Sequence, residues 1–81
     1  MTIQEAIVKA KESGAFSAVP HEPTSADVYF RGEGGSYDAT QFDLYAEDKE
    51  TELDELFTQF CQENRFPTDT VTAVEVLGYV A

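Results

Sequence analysis

Two runs of alternating polarity, separated by a glycine-rich turn, constrain this chain more than any other feature. In ADVYFR, Val28 and Phe30 fall on one side and Asp27, Tyr29 and Arg31 on the other. In SYDATQFDLY, Phe42 and Leu44 oppose Tyr37, Asp43 and Tyr45. Successive side chains of a strand point to opposite faces, so each run reads as a strand with one dry and one wet face. The intervening GEGG bends the chain at little steric cost, and the two runs read as a β-hairpin.

The segments on either side carry a different period. Thr2 and Glu5 form a capping-box pattern ahead of Ile3, Ala6, Ile7 and Ala10, and Gly14 offers a left-handed stop. This predicts a short amphipathic helix over about residues 3–13, whose narrow, alanine-rich stripe suits an outer layer. AFSAVPHEPTS, residues 15–25, holds two prolines and reads as an irregular connection, with Phe16 and Val19 as anchors. Leu53, Leu56, Phe57, Phe60 and Cys61 share one helical face within about 49–63, ended by Asn64 and Pro67. TVTAVEVLGYV is rich in β-branched residues, with Val74, Val76 and Val80 facing one way and Ala73, Glu75, Leu77 and Tyr79 the other.

The order is therefore α-β-β-α-β: an α+β fold with a three-stranded, mainly antiparallel sheet and both helices on its apolar face. The expected core is Ile3, Ile7, Val28, Phe30, Phe42, Leu44, Leu53, Leu56, Phe57, Phe60, Val74 and Val76. The 81 residues allow one domain, 1–81, and 42% hydrophobic residues suffice to fold it.

Charge separates the function classes. Five basic residues against 16 acidic ones leave a net charge of −11, which repels nucleic acid and anionic lipid. Direct binding of nucleic acid is the least expected function on that ground, no membrane partner is expected, and no apolar run approaches the roughly 20 residues of a membrane span. The single cysteine, Cys61, rules out an internal disulfide, and MTIQEAIVKAKESG lacks the pattern of a secretion signal. A soluble cytoplasmic protein is expected.

Catalytic patterns are weak. RGEGGS lacks the Gly-Lys-Ser/Thr ending of a phosphate-binding loop and does not lead into a helix. EDKETELDE has the carboxylates of a calcium site without the glycine-centred loop, so it offers at most a nonspecific divalent-ion patch. One histidine, His21, and one cysteine do not make a usual zinc site, and Cys61 lies on a buried stripe. The adjacent pair Asp54 and Glu55 diverges on a helix. No cofactor, metal or enzymatic activity is expected.

Two surface features remain. The wet sheet face would display Tyr29, Tyr37, Tyr45 and Tyr79 among Asp27, Asp43 and Glu75, and tyrosine anchors interfaces by combining large area with a polar tip. The start of the second helix gathers Glu47, Asp48, Glu50, Glu52, Asp54 and Glu55 around Lys49 alone. The first four gain about 0.3–1 kcal/mol each from the helix dipole, whereas Asp54 and Glu55 lie beyond its strongest reach. Further acids at Glu33, Asp38, Glu63 and Asp69 outnumber the available cations.

Helical carboxylates four residues apart sit about 6 Å from one another, the spacing scale of successive phosphates. EDKETELDE can thus meet a row of cations built for a nucleic-acid backbone. Small size, strong acidity, one α+β domain, one cysteine and no catalytic set resemble the small inhibitors of phages and mobile elements, the anti-CRISPR and antirestriction proteins. That resemblance of class implies a non-catalytic inhibitor of a nuclease or CRISPR effector. It places the acids of 47–55, with Asp27, Asp43 and Glu75, at the interface. The other reading is a general protein-interaction module working through its tyrosine face or a strand edge, including pairing of the last strand with a second copy.

Overall fold

A computed structural model describes residues 1–16 and 24–78. The expectations for Val19, His21, Tyr79 and Val80 lie outside these residues. The elements are α1 (Ile3–Glu12), β1 (Thr24–Arg31), β2 (Tyr37–Leu44), α2 (Lys49–Asn64) and β3 (Val71–Gly78), in the expected order α-β-β-α-β. The sheet is antiparallel throughout with order β2-β1-β3, so the hairpin's first strand is central and both other strands are edges.

Local chemistry explains the element ends. Thr2 Oγ1 accepts from Glu5 N at 3.2 Å while Glu5 Oε1 accepts from Thr2 N at 3.3 Å, completing the capping box. At the other end Gly14 takes φ 83°, with its N–H bonded to Lys11 O and the Ala15 N–H to Ala10 O. That is a Schellman stop. Between β1 and β2 a 3-10 turn over Glu33–Gly35 needs φ of 71° at Gly34 and 78° at Gly35, values that glycine reaches without steric cost.

Even-numbered residues of β1 face the helices. Thr24, Ala26, Val28 and Phe30 are buried, with Leu44, Leu53, Phe57, Cys61, Ile3, Ala6 and Ile7 packed in the same layer. Phe30 meets Phe57, Phe60 and Phe66 with ring centroids 6.1, 5.7 and 5.3 Å apart, and Phe42 meets Phe57 edge-on at 6.4 Å. Each such pair adds about 0.5–1.5 kcal/mol beyond area burial. Every residue of the expected core is in this cluster or packed against it.

One local expectation is corrected, and the structure adds two details to the others. The connection over 15–25 ends earlier: Thr24 and Ser25 already belong to β1, paired with Leu44 and Asp43 of β2 and with Gly78 and Leu77 of β3. Two polar residues at a strand start conceal the alternation that marks the rest. The left-handed residue closing α2 is Arg65, at φ 58°, with the Phe66 N–H on Cys61 O, while Asn64 caps Phe60 O with its side chain. Finally, Tyr29 pairs with Ala73 and Phe30 with Val71, so Thr72 is the extra residue of a β-bulge. The bulge reverses the phase of β3 at its start, and Val71 turns inward to 1% exposure alongside Val74 and Val76.

Candidate functional site

With both helices on one face, odd-numbered positions of β1 and β2 look out on the other. Three cross-strand rows lie on this face, over which no described element packs: Ala39, Tyr29 and Ala73; Gln41, Asp27 and Glu75; and Asp43, Ser25 and Leu77, of which Ser25 is nonetheless buried. Arg31 pairs with Tyr37 at one end. Tyr29, Tyr37, Asp43 and Glu75 are exposed and Asp27 is half-buried. Tyr45 follows the end of β2 and is 62% exposed.

The middle row is electrostatically unusual. Asp27 stands directly opposite Glu75, and directly opposed residues of an antiparallel pair place their Cβ atoms about 4.5–5.5 Å apart. Like charges there are destabilising. The Tyr29 hydroxyl donates to Glu75 Oε2 at 3.4 Å, and the Glu75 charge, followed by partial burial and Asp27, pushes the tyrosine above its ordinary pKa. No described cation neutralises the pair. Arg31 is occupied elsewhere: its Nη2 donates to the Tyr37 hydroxyl at 2.9 Å and its guanidinium lies 5.0 Å from that ring's centre.

The acids around the start of α2 occupy the helical layer, away from this face, and most have internal work. Asp48 caps the helix, accepting from Thr51 N at 3.1 Å and Thr51 Oγ1 at 2.7 Å; these bonds hold its carboxyl below the ordinary carboxylate range. Glu52 Oε1 accepts from Tyr45 N and Ala46 N at 2.7 and 3.1 Å, clamping the β2–α2 connection. Glu50 pairs with Lys11 at 3.3 Å, and Asp54 accepts from Gln4 Nε2 at 3.4 Å, so both tie α2 to α1. The carboxylates of Glu47 and Glu55 have no hydrogen bond or ion pair among the described residues. A row of free carboxylates is thus not what the fold builds there. The sequence-derived site resolves into two surfaces: Asp27, Asp43, Glu75, Tyr29 and Tyr37 on the uncovered sheet, and the acids from Glu47 to Glu55 on the helix side.

Cys61 is buried, and that burial pushes its thiol pKa up, away from the reactive thiolate. Among the described residues no three of His, Cys, Asp or Glu converge on a metal-binding geometry, and no helix is long and apolar enough to cross a membrane.

Sequence reasoning missed a groove of about 240 Å³ between α1 and β3. It is lined by Met1, Ala6, Lys9, Ala10, Thr72 and Val74, together with Ser13 and Ala73. Its walls come from opposite ends of the chain, and no local pattern encodes such a meeting. Compared with known protein families, curated proteins and solved structures, the chain matches none.

Proposed function

We propose that this chain is a non-catalytic acidic binding protein that engages a basic, nucleic-acid-handling protein in the cytoplasm. It would occupy that partner's cation-lined channel as an anti-CRISPR or antirestriction protein does. The observation that carries the reading is the Asp27–Glu75 pair, two opposed carboxylates on a sheet face that no described cation neutralises, in a chain of net charge −11. A fold that keeps a destabilising like-charge pair on an open surface retains attraction for an outside cation. Asp43 extends the charge along the same face, and Glu47 and Glu55 add to the field from the helix side. Steering by such a field makes association fast and sensitive to salt.

The exposed tyrosines favour a second reading, a protein-interaction module in which Tyr29 and Tyr45 supply the contact area and charge is incidental. A pull-down from bacterial lysate at low and moderate salt separates the two. Capture of a nuclease or CRISPR effector, lost in moderate salt and abolished by D43K/E75K, supports the charge-led reading. Capture that survives salt and charge reversal but fails with Tyr29→Ala assigns the interface to the tyrosines. A parallel E47K/E55K variant reports whether the helix side takes part.

A further inference from the structure

Among the described residues the sheet has two open edges, and they are not equivalent. Backbone groups alternate in direction along a strand: Arg31 N bonds Thr70 O on the β3 side, and Gly32 N bonds Ser36 O on the β2 side. Carried through the register, this points the backbone of Tyr29, Asp27 and Ser25 at Ala73, Glu75 and Leu77. The N–H and C=O groups of Val74 and Val76 are left directed away from β1. By the same alternation Ala39 N faces out from β2, where Asp38 Oδ1 accepts it at 2.9 Å and sets a carboxylate across that edge. At β3 the first residue is covered, because Val71 N donates to Met1 O and Met1 N donates to Val71 O. From Val74 onward no described element pairs with the edge, and the groove against α1 runs beside it.

We propose that the β3 edge and its groove receive an extended segment of a basic partner protein as a fourth strand, its residues alternating between apolar and basic. This rests on the reading of the partner as basic and adds how it is held. Main-chain pairing would supply affinity and the two faces selectivity, as in strand addition generally. On the helix side the added residues meet Ala6, Ala10 and half-buried Val74, which accept small apolar side chains. Among the described residues lining the groove Lys9 is the one charged side chain, and it turns cations away from that side. On the other face a residue beside Glu75 enters the row holding Asp27 and Glu75, where a lysine or arginine neutralises the opposed carboxylates. A second copy of this chain fits poorly, since it brings another net charge of −11 and another Glu75 to the same seam.

The test uses a fluorescent peptide of alternating lysine and valine and two N-methylated forms of identical charge, one methylated at every lysine amide and one at every valine amide. Only one set of amides can face β3. Fluorescence anisotropy with the full chain is expected to show one methylated form weakened by about tenfold and the other unchanged. Glu75→Lys should weaken the unmodified peptide, and its amide shifts should centre on Val74 and Val76. Val74→Pro, which deletes an outward N–H without touching the β1 ladder, should reproduce the methylation effect. Equal binding of both methylated forms, or shifts confined to Tyr29 and Asp43, overturns the edge assignment while leaving the charge-led reading to its own pull-down. A chain that is dimeric by light scattering, with the edge protected in the absence of peptide, overturns it in favour of a second copy.

Discussion

Three residues show how single side chains set this protein's balance. Glu75 repels Asp27 across the ladder and raises the pKa of Tyr29. Glu75→Gln is therefore expected to stabilise the fold by about 0.2–1 kcal/mol and to let Tyr29 ionise at lower pH, read by denaturant titration and by the ring-carbon shift of Tyr29 in NMR. Ser25 is 3% exposed and its hydroxyl has no hydrogen-bond partner among the described residues. Removing a buried, unsatisfied hydroxyl avoids its desolvation cost, so Ser25→Ala should raise stability by about 1 kcal/mol. Asp48 acts in the opposite sense. Its depressed pKa means its charged form is favoured by folding, a contribution present above the unfolded pKa and lost as pH falls through the folded one. Asp48→Ala should lower stability near neutral pH, because the Thr51 N–H loses its cap. The gap between wild type and Asp48→Asn should close as pH drops below about 4 in thermal melts followed by circular dichroism.

At the scale of elements, the two helices contrast in how they stop. Gly14 takes the left-handed position after α1 without penalty, while Arg65 takes the same position after α2 with a side chain that disfavours it. Arg65→Gly is expected to raise stability by about 0.5–1 kcal/mol, measured as a shift in denaturant midpoint at unchanged slope. Element identity was legible from periodicity: the apolar stripe of α2 and the alternation of β1 and β2 reappear as buried positions. The bulge at Thr72 was not legible. The phase of Val74 and Val76 extrapolates Val71 outward, and only pairing with Phe30 turns it in. The start of β1 was equally hidden, because Thr24 is buried by its neighbours on both sides rather than by its own polarity.

Across the whole molecule, charge opposes compactness. At about 0.01 M salt the screening length is about 30 Å, and at about 0.15 M it is about 8 Å. The Cα radius of gyration is 12.2 Å, so repulsion among the excess carboxylates spans the fold in the first condition and not in the second. The melting temperature is expected to rise between these two salt concentrations, the reverse of a protein held together by surface ion pairs; scanning calorimetry decides it. The same screening slows capture of a basic partner, so stability and association rate should move in opposite directions with salt.

The sequence by itself determined the order of elements, the apolar faces and the excess of negative charge, because periodicity and composition are properties of neighbouring residues. Only the tertiary structure decided what that charge can do. It engaged Asp48, Glu50, Glu52 and Asp54 in caps, clamps and helix ties, and left Asp27 and Glu75 opposed on an open sheet face. It also set α1 beside the free edge of β3. These outcomes depend on strand order and register, which bring together residues as far apart in the chain as Asp27 and Glu75, and no local pattern carries that information.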